Sequence, residues 1–273
     1  LKRLRSTLRL LRRGLGSKRV RRAGQQLAKV GRALAETREA QVMSDVLRDL
    51  KRACAAPGPA ASAIALGEEA AAVPLPELAG YAQAVATAYK VYRELPQPNA
   101  IRPSLAVRDQ VVAELTAAHR RMLGWSLRGK TRLSLRDGLE RAVRQLRRAW
   151  SVARSSNRPE HAAEQFHDLR KRVKDLYYMA TLLTPAQPAE LAELASKLDQ
   201  LADLLGDDHD LAVLAERAHA HPEEFGGDEV VPALLELAAV APDPMLREKA
   251  GQIGLELGQP GIPVERLVVE LRD

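Results

Sequence analysis

The sequence predicts an all-α fold, on three observations. Strong helix formers (Ala, Leu, Arg, Glu) dominate, while aromatic residues make up 3% of the chain and β-branched runs are short, which leaves little to build strands from. Apolar residues recur at helical spacing, as in Leu4, Leu8, Leu11 and Leu15. Prolines and glycines then punctuate the chain at intervals that suit long helices.

Residues 1 to 15 and about 18 to 54 read as helices, with Gly14 and Gly16 between them. Pro57, Gly58 and Pro59 mark a loop, and Ala-rich helices follow to about Leu95. Pro96, Pro98 and Pro103 mark the boundary between two halves, 1–98 and 104–273. A long basic helix is expected from about Ser104 to Ser155, interrupted at Gly124 or Gly129. Arg158-Pro159 opens the next helix, Thr184-Pro185 ends it, and Pro188 opens another that runs through Gly206 to about His219. Pro222, Pro232, Pro242 and Pro244 divide the C-terminal region into shorter helices, and residues 259–273 read equally as strand or helix.

A chain of 273 residues can bury one large core or two smaller ones. No stretch reaches eighteen apolar residues, the longest (Val230 to Val240) carrying Glu236, so no spanning helix and no membrane partner is expected. The lone Cys54 cannot form an internal disulfide, which points to a reducing cytoplasm. The two tryptophans, Trp125 and Trp150, read as core anchors.

Charge is distributed unevenly. The segment Leu1 to Arg22 holds ten Lys or Arg and no acid. From Arg102 to Lys174 there are eighteen Lys or Arg against seven Asp or Glu, whereas Ala186 to Asp273 holds six against nineteen. Such a separation concentrates basic charge on particular helices.

The run His167-Asp168-Leu169-Arg170-Lys171-Arg172-Val173-Lys174-Asp175-Leu176-Tyr177-Tyr178 organises that charge. On a helix, His167, Arg170, Lys171, Lys174 and Tyr178 share one face, giving a stripe of about 10 Å from His167 to Lys174. Clustered like charges disfavour the helix, so the stripe calls for a bound polyanion or for acids from elsewhere, the acidic C-terminal helices being the obvious donors. Lys2, Arg5, Arg9 and Arg12 form a comparable stripe near the N-terminus, and Arg141, Arg144 and Arg148 a third, with Arg147 nearby.

The first two stripes belong to an internal repeat. At a shift of 172 residues Leu1-Lys2-Arg3-Leu4 falls on Val173-Lys174-Asp175-Leu176; with one residue of gap, Leu27 to Met43 falls on Leu198 to Leu214. Leu27/Leu198, Val30/Leu201, Leu34/Leu205 and Met43/Leu214 are then paired, and two related helical halves are expected. On this alignment the counterpart of His167 to Arg172 would precede Leu1, so the chain reads as starting inside an element.

The order Gly138-Leu139-x-Arg141-x-x-Arg144, then FHDLRKRVKDLYY, then LLGDDHDLAVL resembles the second half of the conserved histidine α-helical domain (CHAD) family, and Leu1 to Met43 resembles its first half. The resemblance implies two helical bundles related by a pseudo-twofold, with a basic groove or pore between them that binds inorganic polyphosphate without catalysis. By motif, His167, Arg170, Lys171 and Lys174 carry over as phosphate contacts, with Lys2 and Arg5 as partners. Arg9, Arg12, Arg141, Arg144, Arg148 and Tyr178 extend the expected surface. Polyphosphate carries charge on each unit and no bases, which suits Lys, Arg and protonated His with few aromatics. Association with polyphosphate granules and a weak, non-specific affinity for nucleic acid would follow from the same charge; no cofactor is expected.

Two other readings compete. The doublets His167-Asp168 and His209-Asp210, with His119, His161, Asp207 and Asp208, permit a metal-dependent HD-type phosphohydrolase on paper. The repeat, however, puts Arg38-Glu39 opposite His209-Asp210, so neither a metal site nor catalysis is expected. A basic scaffold or nucleic-acid-binding helical protein is the non-catalytic rival.

Overall fold

A computed structural model describes residues 1–55, 80–95, 104–127, 129, 131–155, 159–186, 188–240 and 244–271. Within these the chain is all-α, with a 3₁₀ turn at Pro222–Phe225 and no strand among the described residues. The helices are α1 (Lys2–Leu10), α2 (Arg12–Leu15), α3 (Ser17–Ala33), α4 (Ala35–Ala55), α5 (Ala82–Glu94), α6 (Leu105–Leu123), α7 (Thr131–Ser155), α8 (Pro159–Leu183), α9 (Pro188–Ala220), α10 (Val231–Val240), α11 (Pro244–Gly258) and α12 (Pro263–Glu270). The loop at Pro57 to Pro59, the Ala-rich stretch up to residue 79, Pro96, Pro98, Pro103 and Pro242 lie outside the described residues, as does the His161 side chain.

The sequence placed most of these boundaries. Pro159, Pro188 and Pro263 open helices, and their fixed φ suits a first turn whose N–H groups lack intrahelical partners. The long basic segment breaks between Leu123 and Thr131, around the two glycines. The ambiguous C-terminus is helical: Val264, Leu267 and Val268 are buried at helical spacing against the core, which decides the period. The expected helix 18–54 is instead two, α3 and α4, parted at Leu34. No glycine or proline stands there; Leu34 is where one compact unit ends and the other begins.

The two compact units are discontinuous in sequence. Residues 1–34, 105–206 and 245–273 form the first, 35–104 and 207–244 the second. They differ from the sequence division at 98/104 because tertiary contacts group the N-terminal helices with α6 to α8. In the first unit α1 and α7 pack on α8, α2 on α7, α3 on α6, and α12 on α7. Its main core gathers Leu10, Leu139, Val143, Leu146, Leu169, Val173, Leu176, Leu198 and Leu201, and a smaller cluster holds Leu8, Leu15, Val20 and Leu27. The second unit packs α5 against α4 around Met43, Leu47, Tyr92, Phe225 and Leu234, with the Tyr92 and Phe225 rings stacked at 5.4 Å.

Helix α1 departs from its expected apolar stripe. Leu4 is 39% exposed while Leu10, outside the stripe, is fully buried. The helix breaks at Leu11, and α1 inserts Ser6 and Leu10 toward α7 and α8 while Leu8 and Leu15 join the smaller cluster. Trp125 and Trp150 pack against the cores, as expected of anchors.

Candidate anion-binding site

Two glycines bring basic side chains together in the first unit. A Cβ at Gly138 of α7 would overlap the carbonyl of Leu10, and one at Gly14 would lie 2.7 Å from the Ser134 hydroxyl. Backbone therefore meets backbone where α1 crosses α7 at Gly138, a proximity only glycine permits, while Gly14 of α2 packs close on the Ser134 side chain. Arg141, one turn beyond Gly138, consequently stands beside Arg9 and Arg12.

The result is a pocket of about 140 Å³ lined by Arg9, Arg12, Gly138, Arg141, Ala142, Gln145, Arg172, Asp175 and Met179. Four guanidiniums from α1, α2, α7 and α8 share it with one carboxylate. Asp175, 8% exposed, accepts hydrogen bonds at Oδ1 from Ser6 Oγ (2.6 Å) and from Arg9 Nη1. Arg12 Nε donates to Ser17 Oγ at 3.1 Å, and Arg172 reaches Asp168 and Gln145 only at 3.4 and 3.5 Å. Arg141 Nη2 is buried and has no hydrogen-bond partner among the described residues. A buried donor left unpaired costs about 1–3 kcal/mol, a cost that an acceptor in the pocket would remove.

Electrostatics point the same way. Burial, then the neighbouring Arg12, then Arg144, pull Arg141 below the ordinary arginine value, with Asp137 opposing. Burial and the adjacent Arg9 do the same to Arg5, against the pull of Asp175. These cations crowd one another, and an anion would stabilise their charged forms. Guanidinium forks match phosphate oxygens in pairs, which lysine cannot do.

The surrounding acids are committed elsewhere. Asp137 binds Arg13 at 2.5 Å and Arg136 at 3.3 Å; burial pushes its carboxyl up, but the two arginines outweigh that and hold it low. Arg147 is tied to Glu265 (2.7 Å) and to the Gln259 carbonyl (2.6 Å), which docks α12 on α7.

The structure divides the sequence-predicted residues. Arg9, Arg12 and Arg141 line the pocket, and Arg5 stands next to Arg9. Lys2, Arg144 and Arg148 are exposed, Arg144 lying 3.9 Å from Glu140. Arg170 and Lys174 of the stripe on α8 turn away from the pocket toward α9. Lys174 Nζ donates to Asp199 (3.0 Å) and Asp203 (3.2 Å) and lies 5.4 Å from the Tyr177 ring centre. Arg170 Nε donates to the Ala202 carbonyl (3.2 Å), and a Cβ at Gly206 would sit 2.5 Å from its Nη2. His167 and Tyr178 are half-buried and Lys171 is exposed. The acids that the stripe called for are therefore supplied, for Lys174, by the acidic C-terminal helix.

Arg172 was missed because it lies off that stripe. Its signal was a second polar face of the same helix, Asp168, Arg172 and Asp175 at spacings of four and three. The second unit holds a larger groove, about 700 Å³, where Lys51 and Arg93 lie 5.2 and 5.6 Å from the Tyr89 ring centre. Sequence reading did not single it out. Among the described residues no group of three or more His, Cys, Asp or Glu is placed to hold a metal ion, and no helix is long and apolar enough to cross a membrane.

No curated protein and no solved structure matches the chain. A family model does: that of the CHAD domain, over residues 1–219, which takes in α1 to α8, the whole arginine pocket and nearly all of α9. The glycine that admits Leu10, the arginine one turn beyond it and the basic helix that completes the pocket thus lie within one family pattern, and the chain belongs to the CHAD domain family.

Proposed function

We propose that this protein binds inorganic polyphosphate without hydrolysing it, and that the arginine pocket is its principal contact. One observation carries the reading: four guanidiniums from segments far apart in sequence converge on one pocket, where Arg141 keeps a buried donor without an acceptor among the described residues. Such a site stabilises itself by taking an anion, and polyphosphate supplies closely spaced ionised oxygens without bases to stack. The family membership supports the choice of anion.

The proposal includes the duplicated architecture, with a basic groove or pore formed by both halves, and association with polyphosphate granules. Three of the four repeat-paired apolar positions share their environment, Leu27 and Leu198, Val30 and Leu201, and Met43 and Leu214 all being buried, while Leu34 is half-buried and Leu205 buried. Nucleic acid would bind only weakly and through phosphates, since the tryptophans are packed in cores.

Titration with long-chain polyphosphate, orthophosphate and duplex DNA at matched salt tests the reading. Polyphosphate should bind tightest, with affinity falling steeply as salt rises because bound counterions are released. Arg141→Ala should weaken binding roughly tenfold or more and flatten the salt dependence. A flat salt response, or DNA binding as tightly as polyphosphate, refutes it. Phosphate release assayed with Mg²⁺, Mn²⁺ and Zn²⁺ should stay at background; turnover abolished by Asp210→Ala would favour the phosphohydrolase.

A further inference from the structure

The lining of the arginine pocket is uneven in burial. Gly138, Ala142, Asp175 and Met179 are buried, whereas Arg12 and Gln145 are exposed, so the pocket has a buried base and an exposed rim. Behind Gly138 stands the Leu10 backbone. The buried lining also includes the one acid. Asp175 spends Oδ1 on Ser6 and Arg9, and a carboxylate has about four lone-pair sites, so Oδ2 can take a further donor.

We infer that this pocket seats the terminal phosphoryl group of a linear phosphate chain in preference to an interior unit; the inference rests on the proposed reading of the pocket as a phosphate site. A terminal group presents three non-bridging oxygens where an interior unit presents two, and the pocket offers guanidiniums from four helices to meet them. It is also the one group in the chain with a second ionisation, near pH 6 for a phosphate ester, so it alone can offer a P–OH to Asp175. An interior unit pressed to the base brings only ionised oxygens against that carboxylate, which acts as the repulsive element of the site. The charged groups facing Asp175 are Arg5 and Arg9 from α1, Arg12 from α2, Arg141 from α7 and Arg172 from its own helix.

The experiment compares linear tripolyphosphate with trimetaphosphate, a ring of the same phosphorus count that has no terminal group. Both are titrated against the whole chain at about pH 6, where a terminal group is partly protonated. The linear ligand should bind roughly tenfold or more tighter, and the preference should persist between about 50 and about 200 mM salt, where a difference due to charge alone shrinks. Asp175→Asn should reduce the preference, and orthophosphate at higher concentration should displace the linear ligand. Equal affinities for chain and ring, or a preference that vanishes with salt, overturn the inference while long-chain polyphosphate still binds. Absence of any long-chain binding overturns the functional reading itself. Should Asp175→Asn not fold, the comparison of chain with ring in the unaltered protein decides alone.

Discussion

Gly138 and Arg9 show how single residues divide the work between structure and ligand. A side chain at position 138 has no room against the Leu10 carbonyl, and backbone cannot yield as a flexible side chain can. Gly138→Ala should therefore cost about 1–3 kcal/mol in urea or thermal unfolding, and should weaken polyphosphate binding by moving α1 away from Arg141. Arg9 is committed to Asp175, whose side chain is 12% exposed; removing it leaves a buried carboxylate with Ser6 as its remaining close donor. Arg9→Ala should lower the melting temperature, whereas Arg12→Ala, at an exposed position, should shift stability by no more than about 0.5 kcal/mol while still weakening phosphate binding. Equal melting points for the two variants would show that the Arg9–Asp175 pair contributes nothing to the fold.

At the scale of the element, α8 presents two polar faces with different duties. The face carrying Arg170 and Lys174 is occupied by α9, through Ala202, Asp199 and Asp203, while the face carrying Arg172 and Asp175 opens on the pocket. Single substitutions at Arg170 and Lys171 separate a residue packed on α9 from an exposed one. Arg170→Ala should cost about 1–3 kcal/mol, by removing its hydrogen bond to the Ala202 carbonyl and emptying the space over Gly206. Lys171→Ala should cost no more than about 0.5 kcal/mol, because Lys171 is exposed. Burial pulls the Lys174 ammonium down, but Asp199 and Asp203 outweigh it and raise it above the ordinary lysine range. On the lysine side that contribution is complete at neutral pH and is lost as pH rises through the raised value.

Over the whole molecule, acid should unfold the first unit through paired carboxylates. Asp137 and Glu265 are both held below their ordinary range: burial raises each, and arginines, joined for Glu265 by the Gly261 N–H, overcome it. Groups lowered by folding contribute stability above their unfolded pKa, near 4, and lose it as pH falls through the lower folded values. The melting temperature should drop below about pH 4, and Glu265→Gln should lower it at pH 7 while flattening the acid loss; an unchanged acid profile would exclude the Arg147–Glu265 link as a contributor. By itself the sequence determined the helical class, most helix boundaries, the family and the presence of clustered cations, because period, proline position and charge are local properties written along the chain. It also placed Arg9, Arg12 and Arg141 in the expected set. Only tertiary structure decided which face of α8 met acids and which met arginines, since that depends on where α9 packs. The assembly of the first unit from three separate segments, and the pairing of Arg141 with Arg9, rest likewise on long-range contacts across Gly138 that no local pattern records.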